Sequence, residues 1–331
     1  ARTLPIRNFL HLFENSKLTR PVGHYLLGLF YIFGRTAGGN DTFILGHFSN
    51  HGVKWYFPVA WLLKIPLPVT ILFLFGFYFL LRYKLREENY WRLTYIFIPL
   101  LTYWAITLKG SLNIGIRHLL PTFPFVYLFI ADTIYPIING DKRFFSREAL
   151  VLSKVLVGFL FVWYALSSWL SFPYYLAYFN EITFGKEKHD FLVDSNLDWG
   201  QDCKRLAKFI QERNIKKIKI DYFGGAVPSY YIPEEKIISW HSDQGPATGW
   251  FAISATYFQF SKMYGVKEGK WDYNWLEAFE PEKIIGGSIL VFNISTEDLK
   301  KHPPRPLGEI RITPQQAEAE RQGLVKSWQV H

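Results

Sequence analysis

Long apolar stretches dominate the first half of the chain, and shorter polar and apolar segments alternate through the second. The first stretch, 55–81, is interrupted only by Lys64, and the second, 93–108, carries no charge. The third, 119–138, holds Asp132 as its one charge, and the fourth, 149–172, holds only Lys154. A bilayer-crossing helix needs roughly 20 mostly apolar residues. The pattern therefore predicts four spans, near 55–81, 93–108, 119–138 and 149–172. Core helices of a large soluble protein are the alternative. The run 155–180, without any Asp, Glu, Lys or Arg, argues against it.

Residues 1–54 precede the spans. Pro21 opens an apolar run that Gly38, Gly39 and Asn40 would close, which predicts a helix lying on the membrane surface or packed on a soluble loop. From 173 to 295 the pattern changes. Strands are expected at 218–223, 236–240, 250–256 and 288–294, with helices running to 214 and over 273–279, which together describe an α/β domain. Asp198 and Gln201 have the spacing of a capping box at the start of the first of these helices. The remainder, 296–331, reads as a flexible tail. The expected fold is thus an α-helical polytopic membrane region, 55–172, followed by a small extracytoplasmic α/β domain.

Charge gives the orientation. The 331 residues carry 37 Lys and Arg against 28 Asp and Glu. Residues 173–331 hold 20 basic and 21 acidic, so the excess sits in and before the apolar region, and no basic soluble face is left for nucleic acid. Arg82, Lys84, Arg86, Arg92, Lys142, Arg143 and Arg147 fall in two short loops, against Lys109 and Arg117 in the loop between. Seven against two places the richer loops in the cytoplasm and both flanking regions outside. A single cysteine, Cys203, excludes an internal disulfide framework. The chain starts at Ala1 without a leader-like apolar core, which leads us to expect further sequence upstream.

Self-contained catalytic signatures are few. Gly224 and Gly225 follow a strand without dinucleotide-site spacing, and no Walker loop, His-Glu-x-x-His or Gly-x-Ser-x-Gly occurs. His47 and His51 have the spacing of helical metal ligands but lie in a turn-rich string, so no metal site is assigned, and any need for a divalent ion is left open. Asp194, Asp198 and Asp202 could form a carboxylate site, although helix capping explains the last two. Trp199, Tyr230 and Tyr231 could contact sugar rings or fill a core. At the head of the third span, Arg117 and His118, with Lys109 at the end of the second, make a cationic corner suited to a lipid phosphate. Snorkelling to headgroups accounts for them equally well.

The segment Gly115-Ile-Arg-His-Leu-Leu-Pro-Thr-Phe-Pro-Phe125 resembles a motif preceding a late span in polyprenyl-phosphate-dependent glycosyltransferases of the C superfamily, especially bacterial proteins similar to protein O-mannosyltransferases. Residues 55–66, 174–181 and 194–202 resemble the same family, and the likeness covers most of 20–295. It implies an inverting integral-membrane enzyme of the bacterial cytoplasmic membrane. Such an enzyme moves a hexosyl or mannosyl group from a lipid-linked phosphate donor to an acceptor protein or glycan on the outer face. Arg117, His118 and Lys109 would hold the donor phosphate, with Trp199, Tyr230 and Tyr231 as possible sugar or acceptor contacts. The family's general base lies in an earlier loop, so it is expected outside this chain. The competing reading is a membrane-anchored binding or scaffold protein without enzymatic activity, which would tolerate changes at Arg117.

Overall fold

The computed structural model describes residues 13, 17–82, 90–140 and 146–304. Lys84, Arg86, Lys142 and Arg143 of the charge count, and most of 1–16, lie outside the described residues, as does 305–331 of the expected tail. Helix α1, Arg20–Gly38, starts with Pro21 in its first turn and ends at Gly39, whose φ of 78° suits glycine. Tyr25, Tyr31, Ile32 and Phe33 remain exposed along it. Strands β1 (Thr42–Ile44) and β2 (His47–Ser49) then pair antiparallel. Leu45 and Gly46, both at positive φ, make the tight turn whose twist matches a hairpin. His47 and His51 therefore sit on a strand and the bend after it, not on one helix face.

The first apolar stretch is two helices, α2 (Tyr56–Lys64) and α3 (Leu67–Arg82), whose axes bend by 115°. Pro66 explains the break: it forces Ile65 into extended backbone, ψ 137°, and that ends α2. Helix α4, Tyr90–Lys109, follows, then a 3₁₀ turn at Ile116–Thr122 that runs into α5, Phe123–Ile138, and finally α6, Arg147–Leu170. Among the described residues, Ile116–Ile138 and Arg147–Leu170 are each long and apolar enough to cross a membrane, and the bent pair adds a third if it acts as one span. Leu93–Lys109 is a shorter apolar helix. The four expected spans thus reduce to two or three helices that meet the length requirement.

Val69, Leu72, Leu100, Val126, Ile130, Ile134, Val157 and Leu160 form the interior of this bundle. Its outside is apolar too: Leu74, Ile98, Leu128, Val155, Phe159 and Val162 are exposed. Helices apolar on both the inward and outward faces are what a lipid surround requires. Close approach of α3 to α5 depends on Gly76, where a β-carbon would come within 2.8 Å of Thr133 Oγ1.

The second half builds a five-stranded sheet from β3 (Ile218–Asp221), β4 (Ile237–Ser239), β5 (Gly249–Ser254), β6 (Lys283–Ile285) and β7 (Ile289–Ile294), ordered β4-β3-β5-β7-β6. β3 runs parallel to β4 and β5, while β7 is antiparallel to β5 and β6. Helix α7, Cys203–Glu212, buries Leu206, Phe209 and Ile210, the predicted face. Two short helices, α8 (Pro228–Tyr231) and α10 (Thr296–Lys301), flank α9, Ala255–Glu268. α10 opens with a reciprocal Ser295–Asp298 capping box, so the expected tail begins as helix. One hydrophobic core crosses the expected boundary at 172/173: Tyr56, Phe57, Leu63 and Leu119 pack with Leu192, Leu197, Phe251 and Leu290.

Candidate functional site

Asn196, fully buried, ties its own motif stretch, 194–202, directly to 55–66 and 115–125. Its Oδ1 accepts from the Ile116 N–H at 2.9 Å and its Nδ2 donates to the Tyr56 hydroxyl at 2.7 Å. Its carbonyl accepts from Lys64 Nζ, which also donates to the Leu176 carbonyl at 2.9 Å. Beside it, Ser195 Oγ donates to the Ile114 carbonyl. Gly115 makes this docking possible, because its φ is 153° and a β-carbon there would overlap Ser195 Oγ. From the other side, Asn180 Nδ2 donates to the carbonyls of Leu62 and Ile65, closing the free end of α2.

This junction aims Arg117 at the sheet domain, where its guanidinium lies 4.3 Å from the Trp199 ring centroid. Both line a cavity of about 730 Å³ with Arg35, Asp41, Asp194, Asp221 and His241. The loop carrying Gly224 and Gly225, directly after β3, forms another wall. Gly224 packs so tightly on Gly200 that a β-carbon on Gly224 would come within 2.3 Å of the Gly200 nitrogen. Asp221 ends β3, His241 follows β4 and Tyr257 follows β5, so the cavity opens at the carboxyl ends of three parallel strands. Open α/β sheets bind ligands there, where the order of successive strands reverses direction.

The electrostatics are mixed. Two guanidiniums, Arg35 and Arg117, share the cavity with three carboxyl groups. Burial pushes the Asp194 carboxyl above its usual range, opposed by the Ser195 N–H and the two arginines. Burial likewise raises Asp221, opposed by hydrogen bonding to Tyr273 and by His241. Asp41 accepts from the Tyr264 hydroxyl. An anion matching the guanidiniums and a hydroxyl or amine matching the carboxyls could both be held here.

Of the sequence-derived residues, Arg117 and Trp199 meet in this cavity. His118 does not line it: the ring packs edge-on against Phe57, and its Nε2 is buried without a hydrogen-bond partner. Lys109 is exposed at the end of α4 and is also outside the cavity lining. Tyr230 and Tyr231 stack edge-to-face on each other in α8, and Tyr231 borders a separate basic depression with Lys204, Lys208 and Lys236. Arg35, Asp41, Asp221 and His241 escaped the sequence reading. The usable signal was Asp221 inside the strand predicted over 218–223, just before Gly224 and Gly225.

The capping role expected of Asp198 is not observed, because α7 begins at Cys203. Asp198 instead accepts the Gly200 N–H at 3.0 Å inside the turn, fully buried, and burial pushes its carboxyl up to about 7. Asp202 occupies the cap position without bonding the helix backbone; its carboxylate takes Arg205, Gln201 and Ser288 Oγ. Among the described residues, no group of three or more His, Cys, Asp or Glu is arranged to hold a metal ion. No protein-family model matches the chain, nor does any curated protein or solved structure.

Proposed function

We propose that this chain belongs to a polyprenyl-phosphate-dependent membrane glycosyltransferase, and that the cavity at Arg117 receives the donor's phosphate. The observation that carries the reading is the position of Arg117. It stands at the head of the membrane-length helix Ile116–Ile138 and faces a polar cavity beneath the sheet domain. A lipid phosphate resides at that depth, with its chain in the bilayer and its sugar turned toward the domain.

Arg117 supplies a planar fork for two phosphate oxygens, and Arg35 adds a second cation. Stacking on Trp199 holds the guanidinium plane before the donor arrives. As the bond between sugar and phosphate breaks, negative charge grows on the leaving phosphate, and fixed cations lower the barrier there. The acceptor, a protein or glycan hydroxyl, enters from the sheet side. In this reading the sheet domain is extracytoplasmic and the membrane is the bacterial cytoplasmic one. Lys109 and His118, which do not line the cavity, are left out of the phosphate site in this reading, and Tyr230 and Tyr231 are left out of the sugar contacts.

The test is sugar release from a radiolabelled polyprenyl-phosphate sugar, in membranes carrying the full-length protein. Arg117→Ala is expected to lower turnover about 10²–10³-fold, while Lys109→Ala stays near the wild-type rate. Equal turnover in wild type and Arg117→Ala, or none with any donor, would favour the anchored binding protein.

A further inference from the structure

We infer that residues 172–184, which follow α6, form a membrane-interface anchor for the sheet domain, with Phe172, Tyr175, Ile182 and Phe184 seated among the headgroups and upper acyl chains of the adjoining leaflet. The inference requires α6 to cross the bilayer and is independent of the transferase reading. α6 has 24 residues, about 36 Å at 1.5 Å per residue, against a hydrocarbon core of about 30 Å. Phe159, Val162, Leu166 and Trp169 are exposed along its second half, the surface such a helix turns to lipid.

The chain does not rise straight from α6 into water. Glu181 brings it back beside the helix: Oε1 accepts from Trp163 Nε1 at 2.9 Å and from Ser167 Oγ at 2.7 Å. Those donors lie within the last two turns before Leu170, so Glu181 sits about 5–10 Å below the end of the helix. Segments that lie in a membrane interface bury their apolar side to about the same depth. Glu181 is the one charged residue in 155–185, and two donors from α6 hold its carboxylate. Directly after Phe184, Gly185 turns the chain at φ 76°, and Lys186 restores charge.

The inward side of the segment is fixed. Ala177 and Phe179 belong to the core that also contains Phe251 and Leu290 of the sheet, and buried Thr183 donates to the Asn180 carbonyl at 3.0 Å. Its outward side is left bare: Phe172, Tyr175 and Ile182 are exposed, and Phe184 is 92% exposed. This held, aromatic surface continues the exposed face of α6, and aromatic side chains concentrate where headgroups meet acyl chains. Because the same segment packs in the core joining bundle to sheet, lipid contact there sets the height of the domain above the bilayer.

The test places a small environment-sensitive fluorophore on Phe172→Cys, Phe184→Cys and Lys216→Cys, each in the full-length protein in phosphatidylcholine–phosphatidylglycerol nanodiscs. Phe172, Phe184 and Lys216 are exposed, so the substitutions should fold, and Cys203 is buried. Lys216 precedes β3, at the end of the sheet opposite the Arg117 cavity. Emission from 172 and 184 should be lost when part of the lipid carries a nitroxide high on its acyl chain, and should resist aqueous iodide. Position 216 should show the reverse. Iodide quenching at 184 equal to that at 216, without lipid quenching, would put the loop in water and overturn the inference. Lipid quenching confined to 172 would overturn it as well, since 181–184 would then stand clear of the bilayer. Protection of 184 from both quenchers would show protein on this surface, a second copy or another part of the chain, and would overturn the lipid assignment.

Discussion

Asn196 joins residues from three distant parts of the chain through one side chain, so its removal strands more than one partner. Asn196→Ala leaves the Ile116 N–H and the Tyr56 hydroxyl without their buried partner. Each such group costs about 1–3 kcal/mol. Thermal unfolding in detergent should show a destabilisation of about 3 kcal/mol, far more than for Tyr230→Ala on the surface. Asp198 makes a second prediction. Burial pushes its carboxyl up to about 7, above its unfolded value, so its contribution favours the fold below the usual carboxylate range. That contribution is lost as pH rises toward and through 7, because ionising it inside the protein is unfavourable. The Asp198 contribution should therefore decline between about pH 4 and 7, so wild type should lose stability relative to Asp198→Asn over that range. Arg117 and Trp199 were each legible as single residues of the right chemistry near a span or a turn. That they stack on one another was not, since 82 positions separate them and only the Asn196 junction brings them together.

Pro66 and Gly115 act on whole elements rather than on single contacts. Hydropathy summed over 55–81 passes smoothly across Pro66, which is why the sequence reads as one span where the chain turns by 115°. The signal was present, because a proline restricts the residue before it, but Ile65 carried no other mark of a helix end. Gly115→Ala should be poorly tolerated, since a β-carbon would strike Ser195 and the backbone sits at φ 153°. We expect lower thermal stability together with lost donor turnover, because Ile116 and Arg117 could no longer dock, whereas Gly225→Ala, with open space around it, should leave stability near wild type. In the sheet domain, the strands β3, β4, β5 and β7 were legible from β-branched and aromatic runs. Helix α9 was not: its apolar residues are spread around the axis, and the strand pattern runs into it through Ala255 and Thr256. β6, Lys283–Ile285, holds only two apolar residues before Gly286 and Gly287 and was not read as a strand.

At the scale of the molecule, the docking of 114–116 onto 194–196 puts the loop after α4 at the same end of the bundle as the sheet domain. Arg82 and Ser146, at the ends of α3 and the start of α6, lie at the opposite end. Cysteines introduced at Lys109 and Lys236 should therefore react with a membrane-impermeant maleimide from one side only, and one at Ser146 from the other. Cys203 is buried and should remain silent. Charge asymmetry already suggested this alternation, whereas the shared core between bundle and sheet could not be read from segment-by-segment hydropathy. The cavity beside Arg117 adjoins the junction at which bundle and sheet dock, and the central claim is that a lipid phosphate enters it. The most direct measurement is equilibrium binding of a polyprenyl-phosphate sugar to the purified protein in nanodiscs, with wild type and Arg117→Ala compared at the same lipid composition. Saturable binding that Arg117→Ala weakens by about tenfold or more, equivalent to about 1.4 kcal/mol, is the result expected. Binding of equal strength in both proteins would place the phosphate elsewhere and contradict the account.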